Sequence, residues 1–125
     1  MVVQSMLEVA RFFLQTGRAE VEEGLQRGDQ VRVRDGAEKA WNAVVQATEH
    51  LMRSRGRTPV PGPYGHRDRR DFLEEVGRSD LAQKYTYFAE RLHGDVFYTG
   101  AILPGASLRR YLDEVEDYLR LVATA

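Results

Sequence analysis

Asp35-Gly36-Ala37-Glu38-Lys39-Ala40-Trp41-Asn42-Ala43-Val44-Val45-Gln46-Ala47-Thr48-Glu49-His50-Leu51-Met52 is the stretch that decides the fold. Ala37, Ala40, Trp41, Val44, Thr48 and Leu51 recur at steps of three and four, which is one stripe of an α-helix. Glu38, Asn42, Gln46, Glu49 and Arg53 fall away from that stripe and are expected to stay wet. The alanines let neighbouring helices come close. The pattern predicts the central helix of a bundle, running over about 30–54.

Outward from it, Gly28-Asp29 is a break: glycine suits the end of one helix and aspartate the N-cap of the next. Before it, Met6, Ala10, Phe13, Gly17, Val21 and Leu25 form a stripe that predicts a helix over about 2–27. Gly17 and Gly24 weaken an isolated helix by ~1 kcal/mol each, so their use is expected to be close packing. Glu20, Glu22 and Glu23 read as a solvated face.

After the central helix, Arg55-Gly56-Arg57-Thr58-Pro59-Val60-Pro61-Gly62-Pro63-Tyr64-Gly65 is the one long connection. Its three prolines remove amide donors and disfavour helix in the residues before them. A short helix follows from Arg67 to about Val76, with Phe72, Leu73 and Val76 inward. His66 is expected to cap it, Gly77 to end it and Ser79 to cap the next. That next helix covers about 80–99 with Leu81, Tyr85, Phe88, Leu92 and Val96 inward. The last covers about 106–123 with Leu108, Tyr111, Leu112, Val115, Leu119 and Val122 inward. No segment alternates as a strand does, and no repeat or low-complexity tract is present. The expected architecture is all-α: one domain over 1–125, an up-and-down bundle of four long helices and one short one.

The 125 residues suffice for one core without staples. The absence of cysteine excludes disulfides and thiolate metal sites. A formal net charge of −1 excludes a polyanion binder that works by overall charge. The basic residues are sixteen arginines and two lysines. Met1 to Glu8 lacks the basic lead of a signal peptide and meets Glu8 early. No apolar run approaches the ~20 residues that span a bilayer. The expected setting is cytoplasmic, with no membrane contact.

Two clusters are candidates for binding. Arg53, Arg55, Arg57, His66, Arg67, Arg69 and Arg70 are opposed in their window only by Asp68 and Asp71, and Tyr64 lies among them. Arginines with an interleaved aromatic can follow a nucleic-acid backbone and stack a base. The alternative is a solvated loop whose arginines pair with Glu74, Glu75 and the aspartates. Glu90-Arg91-Leu92-His93 places a carboxylate and an imidazole one turn apart, but a di-iron bundle needs two such steps and two more carboxylates. No metal or cofactor is therefore expected, and His93 stays a candidate ligand-binding residue at the rim of the core. No phosphate loop and no nucleophile–histidine set is evident by spacing, so no catalytic residue is assigned. A second stripe of the helix over about 80–99, Tyr87, Arg91, Gly94 and Tyr98, lies about 130° from its core stripe at ~100° per residue. Its residue types suit an interface between two copies.

Three short segments resemble the HEPN (higher eukaryote and prokaryote nucleotide-binding) superfamily, most nearly its archaeal PaREP branch. Ala37-Glu38-Lys39-Ala40-Trp41-Asn42-Ala43 is similar to the signature of the second HEPN helix. Gly65-His66-Arg67-Asp68 with Phe72-Leu73 is similar to its histidine-opened third helix. Leu92-His93-Gly94-Asp95-Val96-Phe97-Tyr98 is similar to the PaREP pattern near the end of the fourth. The resemblance implies the bundle and a homodimer. It also implies a binding module for RNA, a nucleotide or a partner protein, such as the nucleotidyltransferase of a toxin–antitoxin pair. Many HEPN proteins are RNases marked by arginine, four to six residues, then histidine. No arginine stands at that distance before His50, His66 or His93, so RNase activity is not carried over. The rival expectations are an unusual metal-independent RNase that uses His66 or His93, and a purely structural oligomer.

Overall fold

A computed structural model describes residues 5–125. Five helices carry the described chain, and no strand occurs among its residues. They are α1 (Met6–Arg27), α2 (Gln30–Ser54), α3 (Gly65–Glu75), α4 (Ser79–Phe88) and α5 (Gly105–Ala123). From Ala89 to Tyr98, α4 continues without a break as a π-helical segment. The protein is an all-α helical bundle.

The first residues of the expected helix over 2–27 lie outside the described residues. The described helix opens at Ser5, whose hydroxyl accepts from the Glu8 N–H at 3.1 Å. Gly28 closes it in the left-handed region at φ 66°, and the Asp29 carboxylate caps α2 by accepting from the Arg32 N–H at 3.1 Å. That two-residue joint turns α2 back along α1.

The pair then follows a seven-residue rhythm. Leu7, Leu14 and Val21 alternate with Ala10, Gly17 and Gly24 on α1, and Val33, Ala40 and Ala47 with Ala37, Val44 and Leu51 on α2. All twelve are buried. This is the spacing of a coiled-coil seam, here filled with small residues. A Cβ at Gly17 would sit 2.6 Å from the Gly36 carbonyl oxygen, and one at Gly36 would sit 2.6 Å from that of Gly17. The glycines therefore bring the backbones together, as expected for Gly17 and Gly24. Of the stripe expected on α1, Ala10, Gly17 and Val21 are buried, but Leu7 and Leu14 are buried where Met6 and Phe13 are only half-buried. The close approach at the glycines fixes which face turns inward. Glu20 turns inward with them instead of facing solvent. It is buried and pairs with Lys39 across the seam.

Helix α2 touches every other helix, so it is the central one. Trp41 and Phe88 are 3% and 1% exposed, which places both dominant stripes in the core. All the expected inward positions of α4, its continuation and α5 are buried. The core also takes in Tyr118, whose hydroxyl donates to Thr48 at 2.6 Å while Thr48 donates to the Val44 carbonyl at 2.8 Å. Complete burial raises the Tyr118 pKa far above its ordinary value. Two caps differ from expectation. Ser79 lies inside the first turn of α4, where its hydroxyl donates to Glu74 at 2.5 Å, and Arg78 holds the capping position but gives its side chain to Asp80 and not to a cap. His66 lies inside α3 and does not cap it.

Candidate functional site

Trp41 forms the floor of a polar corner where α2, α3, α4 and the π segment meet. Tyr85 of α4 meets its ring edge-on at 5.1 Å, His66 of α3 lies at 5.6 Å and His93 of the π segment at 5.9 Å. The two imidazoles are 6.3 Å apart, centre to centre. Helix α2, helix α3 and the continuous run from Ser79 to Tyr98 carry these residues, and the bundle brings them to one place.

Each imidazole is held at Nδ1. His93 Nδ1 is 2.9 and 3.0 Å from the two oxygens of Glu38, one turn before Trp41 on α2. His66 Nδ1 is 2.9 Å from the Tyr85 hydroxyl. Arg69 donates to that same hydroxyl at 3.1 Å and to Glu49 at 2.7 and 3.2 Å. Glu38 and Glu49 are thus drawn into the corner, not left on the wet face the stripe suggested. Burial lowers the His66 pKa below its ordinary 6.5, and the positive charge of Arg69 lowers it further. Burial raises the Tyr85 hydroxyl, although Arg69 opposes it.

The π geometry sets what surrounds His93. The Thr99 N–H donates to the Gly94 carbonyl at 2.9 Å, five residues back. In an α-helix a residue five positions on lies about 140° around the axis. Here the wider turn brings both Phe97 and Tyr98 to His93, stacked and edge-on, each at 6.0 Å. Arg34 of α2 fixes the end of the segment by donating to the carbonyls of Phe97 at 2.8 Å and Tyr98 at 3.3 Å. Irregular π turns recur at functional sites.

The basic cluster separates into three groups. Arg57 is committed to structure: it pairs with Asp68 and Glu75, both at 2.6 Å, and Asp68 also accepts from the Val60 N–H at 3.0 Å. Burial pulls the Asp68 carboxyl upward, but the bonds from Arg57 and Val60 outweigh it and hold the pKa below the ordinary value. Arg69 is committed to Glu49 and Tyr85, and Arg67 lies 3.7 Å from Asp71. Arg53, Arg55 and Arg70 are exposed and have no carboxylate partner among the described residues. Tyr64 and Tyr98 stand 71% and 75% exposed, each close in sequence to one of the two histidines.

The remaining candidates disperse. Glu90 is exposed, and His93 turns to Glu38 instead. Among the described residues no three His, Asp or Glu side chains form a metal-binding group. Within the second stripe, Arg91 lies over the Tyr87 ring at 5.7 Å and Tyr87 meets Tyr111 of the same chain at 5.9 Å. Tyr98 faces His93, and Gly94 is half-buried. A groove between α4 and α5, beside Phe88 and Leu121, is lined by neither histidine. No family model matches the chain, and none of the curated proteins or solved structures compared with it does.

Proposed function

We propose that this protein is a binding module for RNA or a nucleotide, that the histidine corner is its recognition site, and that it has no catalysis of its own. One observation carries the reading: His66 and His93 meet over Trp41 with neither Nε2 bonded to protein among the described residues. Arg70 is near enough to lower the His66 pKa, and Tyr64 and Tyr98 offer exposed rings. Phosphate, hydroxyl and base have matching groups there: cation, imidazole and aromatic face. The three segments that resemble HEPN proteins converge on this corner, and we take the kinship as part of the proposal. A cytoplasmic setting and a nucleotidyltransferase partner go with it.

The test is fluorescence anisotropy with a short single-stranded RNA. Binding should weaken in Arg70→Ala and His66→Ala, and should fall as salt rises, because phosphate contacts release counterions. Binding that ignores both changes would remove the corner from the reading.

One feature favours a second reading, a metal-independent RNase. The Glu38–His93 pair resembles an oriented general base, and His66 stands beside it. Robust RNA cleavage by pure protein, lost in His93→Ala, would put this reading first. A homodimer through the exposed part of the second stripe, Arg91 and Tyr98, completes the proposal. A mass near 14.3 kDa by light scattering at micromolar concentration would exclude it.

A further inference from the structure

Arginine has donors only, so the Tyr85 oxygen accepts from Arg69, and the Tyr85 proton is left for His66 Nδ1. Tyr85 is fully buried, and no other acceptor for that proton exists among the described residues. His66 Nδ1 is therefore an acceptor, and the hydrogen of the neutral ring is on Nε2. Protonating Nδ1 would leave the tyrosine proton buried without a partner, at the cost that attends any such group. His93 has the opposite arrangement. Its Nδ1 faces the Glu38 carboxylate, which only accepts, so Nδ1 carries the hydrogen and Nε2 of the neutral ring carries the lone pair.

We infer that Tyr85 and Glu38 are positioning residues that hold His66 and His93 in opposite tautomers, so that the corner presents one N–H and one lone pair side by side to a ligand bearing a hydroxyl next to a phosphate. The inference rests on the nucleotide-binding reading and narrows it. The lone pair of His93 accepts from the hydroxyl, and the N–H of His66 donates to a phosphate oxygen, with the exposed Arg70 one turn further along α3. Ribose with a free 2′-hydroxyl beside a 3′-phosphate has that pattern; deoxyribose does not. A free nucleotide and an RNA chain share the chemistry.

Two measurements test it. Long-range nitrogen–proton NMR at neutral pH should place the hydrogen of His66 on Nε2 and that of His93 on Nδ1. Tyr85→Phe, which keeps the buried ring, should release the His66 tautomer, and Glu38→Ala should release that of His93. Adenosine 3′-monophosphate should bind roughly tenfold more tightly than its 2′-deoxy analogue, the scale of one lost hydrogen bond. The preference should shrink in both variants while their melting transitions stay cooperative. A six-residue oligoadenylate in RNA and DNA forms is the second arm. A ribose preference in the oligomers but not the nucleotides makes RNA the source of the ligand and supports the inference. Equal binding of ribo and deoxy forms, or matching tautomers on the two histidines, overturns the inference and leaves nucleotide binding standing. Binding of neither form, free or in chain, overturns both.

Discussion

The α1–α2 seam and the histidine corner lie on the same helix and are built by opposite means. The seam is made of small side chains from neighbouring segments, and its geometry comes from backbone approach at Gly17 and Gly36. The corner is made of large polar side chains from four segments, and its geometry comes from directed hydrogen bonds around Trp41. Packing of the first kind tolerates no added volume. A network of the second kind tolerates modest change of volume but no change of donor or acceptor. One helix can therefore be rigid along one face and chemically exacting along another.

The largest effect is expected where the two regions join. Trp41 is buried on the core stripe of α2 and carries three of the corner's rings. Trp41→Ala should cost about 3–5 kcal/mol in denaturant unfolding, the range for truncating a buried aromatic. It should also shift the NMR signals of both histidines. An unchanged denaturation midpoint would mean that the floor of the corner is not part of the core.

A smaller loss is expected from breaking the seam alone. Gly36→Ala places a methyl 2.6 Å from the Gly17 carbonyl oxygen and 2.7 Å from Val21. Overpacking of that kind costs about 1–3 kcal/mol. The histidine resonances should stay in place, because the added methyl is on the face of α2 turned toward α1. If they move as much as in Trp41→Ala, the two regions are one mechanical unit and the contrast between them fails.

The seam was largely legible because its information is local. The stripe from Ala37 to Leu51 specified α2 and its buried face, and Gly28-Asp29 gave the joint. On α1 the spacing places Ala10, Gly17 and Val21 inward correctly but not Met6 and Phe13, which are as apolar as the buried Leu7 and Leu14; only contact with α2 at the glycines decides between them. The corner was legible as residue types but not as geometry. His93 and Glu38 are 55 positions apart, and nothing in the spacing of either points to the other. The π turn left no mark, since Leu81, Tyr85, Phe88, Leu92 and Val96 keep the steps of an ordinary helix. Glu20 and Glu49 read as wet in the sequence because carboxylates usually are; in the fold they pair with Lys39 and Arg69 and turn inward.

The smallest expected effect distinguishes the regions by pH. Burial, with Arg69 nearby, keeps the folded His66 pKa below the 6.5 of the unfolded chain, while Tyr85 supplies a hydrogen bond that suits the neutral ring. As pH falls through 6.5, the unfolded chain takes up a proton that the folded chain still refuses. The unfolded state then binds more protons, so stability declines as pH falls. Above that range the contribution is complete, and it is lost once pH reaches the folded pKa. The size is modest, because His66 faces solvent and water screens its neighbours. Melting temperatures at pH 7.5 and pH 5.5 should therefore differ more in the wild type than in His66→Gln, which has no proton to gain. Gly36→Ala should be less stable at both values yet keep the wild-type difference, since the seam and the corner contribute independently. An equal pH dependence in wild type and His66→Gln would show that the charges gathered at the corner do not reach the imidazole.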